Sequence, residues 1–276
     1  MDYSVVILTF NSERYIHKCL VSLIESFKDL SASYEIFVID NGSQDKSKSI
    51  TREVKETHAA NIKLIEFDHN TGTTFSRNQG LSKSTGKNII VMDSDAYANP
   101  QAIQVLTDYL DSNPQCGLVV PKLIYPDGRF QLSTDVFPTF IRKLQRFLFL
   151  KKMEQNTIQP ASHNQSVDYA ISAFWLFPKK VLDTVGLLDE KIFYSPEDVD
   201  YCIRVWKKNY SIDYVPGVSI VHDAQEISRS KGFKINKFTL SHIKGLFYLF
   251  IKHRYFFSGK KFLKGVNQRG LSNAGN

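Results

Sequence analysis

Asn88-Ile89-Ile90-Val91-Met92-Asp93-Ser94-Asp95 carries the uninterrupted apolar run Ile89–Met92 into two carboxylates. Residues 88–92 read as a strand covered on both faces, the pattern of an inner strand of a parallel sheet. Working outward, the same kind of run recurs at Val5–Thr9, Glu35–Ile39 and Ile62–Phe67. Helix-period segments lie between these strands. Glu13–Phe27 places Ile16, Leu20, Leu23, Ile24 and Phe27 on one face, a polar helix follows Asp40-Asn41-Gly42-Ser43 to about Thr57, and Ser76–Ser82 starts another. This alternation predicts an α/β fold, a mostly parallel sheet with helices on both faces. Beyond Pro100 the pattern turns mixed: a helix to about Asp111, a strand near Leu118–Val120, a hairpin at Pro126-Asp127-Gly128, and helices at Lys179–Val185 and Asp198–Lys208. A polar loop is expected at Glu154–Ser166 and a helical extension over 231–276.

Ligands of such sheets bind beyond the carboxyl ends of the strands. Four polar clusters fall there: Thr9-Phe10-Asn11-Ser12-Glu13, Asp40-Asn41-Gly42-Ser43, Asn70-Thr71-Gly72 and Asp93-Ser94-Asp95. Side chains at i and i+2 of an extended chain share a side, so Asp93 and Asp95 can face one cation. Hard oxygen ligands suit Mg²⁺ or Mn²⁺, which reach a protein through one or two carboxylates plus substrate phosphate. Arg77-Asn78, a few residues beyond Asn70-Thr71-Gly72, marks either a surface helix start or, through Arg77, bidentate binding of a diphosphate. Glu197-Asp198-Val199-Asp200 follows Pro196 and opens a helix, where carboxylates also favour the dipole. Asp198 there suits a general base. His222 ends the run Val218–Val221 and offers an imidazole to a metal or a structural partner.

Together these residues, with Val6-Ile7-Leu8 before Thr9-Phe10-Asn11 and Arg77-Asn78 after Asn70-Thr71-Gly72, resemble family 2 glycosyltransferases from about residue 3 to 225. Within that family the chain is most similar to bacterial rhamnosyltransferases of cell-surface polysaccharide synthesis. The resemblance implies the GT-A fold over 1–230, with a Rossmann-like nucleotide-sugar-binding half at 1–99 and an acceptor half at 100–230. It also implies a nucleotide-diphosphate sugar donor (dTDP-rhamnose first, a UDP-hexose next), Mn²⁺ or Mg²⁺, and inverting transfer to a glycan or lipid-linked acceptor. It implies donor contacts at Thr9, Phe10, Asn11, Glu13, Asp40, Asn41, Asn70, Gly72, Arg77, Asp93 and Ser94, with Asp40 reading the base. Asp95 and His222, with Asp93, would hold the metal; Asp198 would be the base, Glu197 its partner, and Trp175 and Asp200 acceptor contacts. Ser172 stands where relatives often keep glycine, Pro178 replaces a usual basic residue, and Ser195-Pro196 precede the acidic pair. A sugar-nucleotide pyrophosphorylase would need a Gly-rich, basic loop after the first strand, which Thr9–Glu13 is not. A non-catalytic nucleotide-sugar or glycan binder remains the reading from another class.

The 276 residues carry a net charge of +7, unevenly placed. From Ser228 onward there are eleven Lys or Arg and no acid, which leaves residues 1–227 at −4. Ile243, Leu246, Phe247, Phe250 and Ile251 recur at helical spacing among Lys237, Lys244, Lys252 and Arg254. Such a helix fits an anionic membrane surface, a second copy in a homodimer, or its own domain. Phe137–Lys152, with Phe140, Leu144, Phe147 and Leu148 beside Arg142, Lys143 and Arg146, offers a second membrane contact. No recognition motif accompanies the charge, so nucleic acid is not an expected partner. The N-terminus reads as a first strand rather than a signal peptide, and Cys19, Cys116 and Cys202 are odd in number and scattered. A cytoplasmic protein, peripheral on the inner face of the plasma membrane, is expected.

Overall fold

The computed structural model describes residues 1–139, 163–224 and 237–254. The basic aromatic stretch beyond residue 139, most of the expected polar loop, and the tail on both sides of its helix lie outside them.

Four parallel strands, β1 (Tyr3–Thr9), β2 (Tyr34–Asp40), β3 (Ile62–Glu66) and β4 (Asn88–Asp93), form one half of the main sheet in the order β3-β2-β1-β4. They alternate with α1 (Ile16–Asp29), α2 (Ser47–Thr57) and α3 (Thr73–Leu81). Successive strand side chains point to opposite faces, and both faces are covered. Val5, Ile7, Ile36, Val38, Ile90 and Met92 join the core under α1; Val6, Phe37, Ile39, Ile89 and Val91 join the opposite core. Burial on both faces is why β1, β2 and β4 carry continuous apolar runs, whereas β3, at the sheet edge, keeps Lys63 and Glu66 exposed. On α1, Ile16, Leu20, Leu23, Ile24 and Phe27 are buried as their spacing predicts.

After the two-residue β5 (Ala96–Tyr97), α4 (Pro100–Ser112) starts with Pro100 and with Asn99 as its cap, Oδ1 accepting from Ala102 N at 2.8 Å. Then come β6 (Cys116–Ile124), the short strands β7 (Phe130–Gln131), β8 (Thr134–Asp135), β9 (Gln165–Ser166) and β10 (Tyr169–Ala170), and β11 (Phe174–Pro178). The chain continues through α5 (Lys179–Val185), α6 (Glu197–Lys207), β12 (Ser211–His222) and α7 (Lys237–His253). The full strand order is β3-β2-β1-β4-β11-β6-β12-β5, with β7 on β6 and β9 on β12. Strand β11, which the sequence pattern leaves unassigned, inserts antiparallel between β4 and β6. It joins the two expected halves in one sheet.

Register sets the site. Thr9 lies opposite Asp40 and Leu8 opposite Asp93, so the ends of β1, β2 and β4 share one rim. At the far edge β12 pairs antiparallel with β5, His222 opposite Ala96, and Asp223 N donates to Asp95 O at 2.9 Å. A residue 127 positions along the chain thereby meets the acids that follow β4.

Among the described residues no helix is long and apolar enough to cross a membrane. The three cysteines are buried and free.

Candidate active site

Asp93, Asp95 and His222 each offer a ligand atom, and the three atoms lie within 4.8 Å of one another. His222 Nε2 is 3.3 Å from Asp95 Oδ1 and 3.8 Å from Asp93 Oδ2. Its Nδ1 lies 2.8 Å from Gln131 Oε1, a carbonyl oxygen that only accepts. That bond puts a proton on Nδ1 and turns Nε2 to the carboxylates. Burial alone would lower the pKa of His222, yet the bond to Asp95 and the charges of Asp95 and Asp93 outweigh it and raise it. A field that favours a proton at Nε2 favours a cation there too. Two carboxylates and one imidazole therefore fit Mn²⁺ or Mg²⁺ as a donor set. Gln131 gives no signal in the sequence, because only the β6–β7 register brings it to His222.

The rim at the ends of β1 and β2 presents buried oxygen atoms with nothing bonded to them. Asp40 is wholly buried; Oδ1 accepts from Ser43 N at 2.9 Å, and Oδ2 has no partner. Thr9, also wholly buried, leaves Oγ1 without one. Seven buried side-chain atoms among the described residues lack a hydrogen-bond partner, and these two share one rim of the sheet because Thr9 and Asp40 end paired strands. Phe10 is exposed beside them.

Other rim residues are occupied. Asn11, at φ +52, accepts from Gln44 N at 2.9 Å, and Glu13 Oε2 accepts from Lys46 N at 3.1 Å. Asn41 Oδ1 accepts from Thr71 N at 2.7 Å while its amide donates to Asn70 Oδ1 at 3.1 Å. Asn70 Oδ1 also takes Gly72 N at 2.9 Å. These asparagines tie one rim loop to the next. Gly72 holds φ +91, and a Cβ there would meet Phe193 O at 2.5 Å, so the loop before α6 rests on the start of α3. Ser94 Oγ donates to Ser12 Oγ at 2.8 Å, which joins the first and last clusters.

Arg77 departs from the expected diphosphate clamp. It is 2% exposed, with Nη2 on Asp93 Oδ1 at 2.5 Å and Nη1 on Ser172 Oγ at 2.7 Å and Glu197 Oε1 at 3.5 Å. Its side of α3 faces inward, so the guanidinium holds the protein's own carboxylates rather than an open approach to phosphate. Ser172, the residue found in place of the expected glycine, supplies a hydroxyl to this bridge.

Glu197 and Asp198 open α6, at the dipole's positive end. Burial, then the charge of Asp198, raises the pKa of Glu197 to about 8 against the pull of Arg77. Asp198 is half-buried, its Oδ1 accepting from Val199 N at 2.7 Å, and its charge helps raise Asp93. Burial is the larger cause of that rise in Asp93. The structure thus brings Asp198 and Glu197 to the same cleft as Asp93.

The acceptor-side expectations for Trp175 and Asp200 do not hold. Trp175 is 1% exposed, stacks on Tyr201 and donates Nε1–H to Ala170 O at 3.2 Å. It sits on the core face of β11, and an alternating strand leaves it no path to the cleft. Asp200 is wholly buried on the side of α6 turned away from Asp198, among Arg204, Lys252 and His253.

Known proteins resemble the chain in sequence and in fold. Minor teichoic acid biosynthesis protein GgaA of Bacillus subtilis is 27% identical over 145 residues, 49% of this chain and 32% of that protein. Poly(ribitol-phosphate) beta-N-acetylglucosaminyltransferase TarS of Staphylococcus aureus is 29% identical over 199 residues, 71% of this chain and 30% of TarS. The chain spans about a third of the length of these relatives. The crystal structure of TarS 1–349 with UDP superposes with a TM-score of 0.57 at 20% identity, over 80% of this chain and 60% of that one. Mannosyltransferase PcManGT of Pyrobaculum calidifontis, in complex with GDP-Man and Mn²⁺, gives 0.62 at 19% identity over 91% and 63%. The fold is GT-A. The model of the family described as Glycosyl transferase family 2 matches residues 4–186, well over half of the sequence, and the chain belongs to that family.

Proposed function

We propose that the protein is an inverting glycosyltransferase that moves a sugar from a pyrimidine nucleoside-diphosphate donor to a hydroxyl of a glycan or lipid-linked acceptor in surface polysaccharide synthesis. The observation that carries this reading is the meeting of Asp93, Asp95 and His222 on the rim that also holds the unbonded Asp40 and Thr9 oxygens. Asp40 Oδ2 can only accept, and the ring N–H of uracil or thymine can only donate. Both dTDP-rhamnose and UDP-hexoses satisfy that pairing. The division into a catalytic part, 1–230, and a basic helical extension, 231–276, belongs to the same proposal.

Asp93, Asp95 and His222 would hold Mn²⁺ or Mg²⁺, which supplies positive charge to a leaving diphosphate. Asp198 takes the proton of the acceptor hydroxyl while that oxygen attacks the anomeric carbon. The bond to the diphosphate breaks with its electron pair, on the face opposite the attack, and the configuration inverts. Glu197, neutral at pH 7 by its raised pKa, can donate a hydrogen bond beside the base. Arg77 keeps Asp93 and Glu197 in register.

A panel of nucleotide sugars in a thermal-shift assay, with and without Mn²⁺, tests the reading. A metal-dependent rise with one donor is expected, and it would name the sugar. No rise with any donor, in the presence of metal, would favour a non-catalytic glycan binder.

A membrane contact has its own observation. Ile243, Phe247 and Ile251, one helical face at spacing four, are 44%, 57% and 66% exposed on α7, in a segment rich in Lys and Arg and free of acids. Replacing the three with Asp should release the protein from phosphatidylglycerol vesicles, and undiminished co-sedimentation would remove the lipid contact. Loss of a dimer on the same substitutions would assign the face to a second copy.

A further inference from the structure

We infer that Lys252 and His253, at the end of α7, are positioning residues for the base: through Asp200 they fix the helix whose first turn carries Asp198. The inference rests on the reading of Asp198 as base, and it gives the extension a part in the chemistry apart from any membrane contact.

Two residues along an α-helix turn the side chain by about 200°. Asp198 and Asp200 therefore leave α6 on nearly opposite sides, one to the cleft and one to the core. Asp200 accepts from Arg204 Nε at 2.9 Å, Lys252 Nζ at 2.6 Å and His253 Nε2 at 2.8 Å. Arg204 belongs to α6 itself and cannot locate it; Lys252 and His253 come from another helix and can. The imidazole has one workable protonation. Lys207 Nζ, 2.8 Å from His253 Nδ1, only donates, so Nδ1 accepts and Nε2–H is left for Asp200. Lys252 Nζ is shared with Asp189 Oδ2 at 2.6 Å, and Tyr248 OH donates to that same oxygen at 2.8 Å. Asp189 lies eight residues before Glu197, so α7 grips the chain on both sides of the loop that enters α6.

Packing repeats the message. A Cβ on Gly245 would run into the carbonyl of Ser195, so α7 lies directly on the Ser195-Pro196 turn that starts α6. Leu249 and Phe250 are buried in the same core as Val199, Tyr201 and Cys202. On its other side the loop is held by α3: Thr73 N donates to Phe193 O at 2.6 Å, and Thr74 Oγ1 to Ile192 O at 2.7 Å. The segment 192–196 is thus gripped between the donor half and the extension. Its position sets the reach of Asp198 to an acceptor hydroxyl, and a displacement of about 1 Å at a reacting group costs on the order of 10²-fold in rate.

The test uses the full chain with Lys252→Met and His253→Leu, beside the conservative Lys252→Arg and His253→Gln. The first pair should lower kcat by about 10- to 10²-fold with donor KM changed less than about twofold. The second pair should recover most of the loss, since Arg keeps the charge and Gln keeps an N–H for Asp200. A kcat within about twofold of wild type for both Met and Leu variants would overturn the inference, as would kcat and donor affinity falling in proportion. Amide hydrogen exchange gives a readout independent of turnover. Exchange over 193–201 should quicken in the Met and Leu variants while Tyr34–Asp40 stays unchanged; equal exchange over 193–201 would sink the clamp. If the wild type transfers no sugar to any acceptor, the base assignment fails and the positioning role with it. Faster exchange would then establish a structural joint only.

Discussion

Asp40 and Asp200 are equally buried, and they could hardly be more different. Asp40 ends β2 with one oxygen on a backbone N–H and the other unbonded. Asp200 is surrounded by an arginine, a lysine and a histidine. A buried carboxylate is costly unless it is paired and hydrogen-bonded. The saturated one has met that requirement within the protein and serves as a joint between helices. The unsaturated one, in the proposed function, has it met by the base of the donor. Burial alone does not separate a binding residue from a structural one; the count of partners does.

This comparison can be broken at several points. The largest effect belongs to the cleft: Asp198→Asn should lower kcat by about 10²–10⁴-fold and leave donor Kd nearly unchanged. Unaltered turnover would take the base away from α6. Next is the joint itself. Asp200→Asn leaves Lys252 and His253 facing a lost charge, and a denaturant titration should show a loss of about 3–5 kcal/mol in unfolding free energy. Surroundings that hold the Asp200 pKa well below the usual carboxylate range give that stability a sign: it is present above the unfolded pKa and is lost as pH falls toward the depressed one. Wild type should therefore lose its advantage over Asp200→Asn in acid.

Asp40→Asn inverts the pattern. Calorimetry should find donor binding weaker by about 10- to 10²-fold, the worth of a hydrogen bond to a charged group, with no loss of stability in the ligand-free protein. A large drop in Tm would instead make Asp40 a second structural joint. For Glu197 the folded pKa, about 8, lies above the ordinary 4.5. Its contribution is thus complete below 4.5 and is lost as pH rises through 8. Glu197→Gln, neutral throughout, should gain a few degrees in Tm on wild type above pH 8 and little below pH 5. The smallest effect sits at the metal ligands. With the His222 pKa raised above 6.5, protons compete at Nε2, and Mn²⁺ affinity should weaken as pH falls, by at most about tenfold per pH unit from this residue. Pure pH independence from pH 8 to 6 would remove His222 as a ligand.

Much of the donor rim was legible in the sequence. Parallel strands buried on both faces leave continuous apolar runs, and their carboxyl ends carry the polar clusters. Thr9, Asp40, Asp93 and Asp95 could be put on one edge by counting strands. The acidic pair at Glu197-Asp198 could be placed at a helix start by Pro196 and the pattern that follows. The acceptor side was harder. Trp175 looks like a cleft residue in a linear reading because an aromatic in an unassigned segment carries no mark of direction, whereas the helical spacing of Asp198 and Asp200 already sets them on nearly opposite sides. Arg77 has the right chemistry for phosphate and is spent on Asp93, Ser172 and Glu197 instead. The tail's charge was visible, but Lys252 is bonded to Asp189 and Asp200 rather than free for lipid.

What the sequence determined by itself is local: which segments are strands or helices, which rim their ends form, and which residue types stand there. That information is set by period, by turn residues and by the hydrophobic pattern, all of which act over a few positions. Only the tertiary structure decided which polar groups have partners. His222 joins Asp95 through strand pairing, Gln131 fixes its tautomer through a hairpin register, and His253 reaches Asp200 from 53 positions away. Hydrogen bonds and ion pairs depend on distance in space, and it is the packing of β11, β12 and α7 that sets those distances.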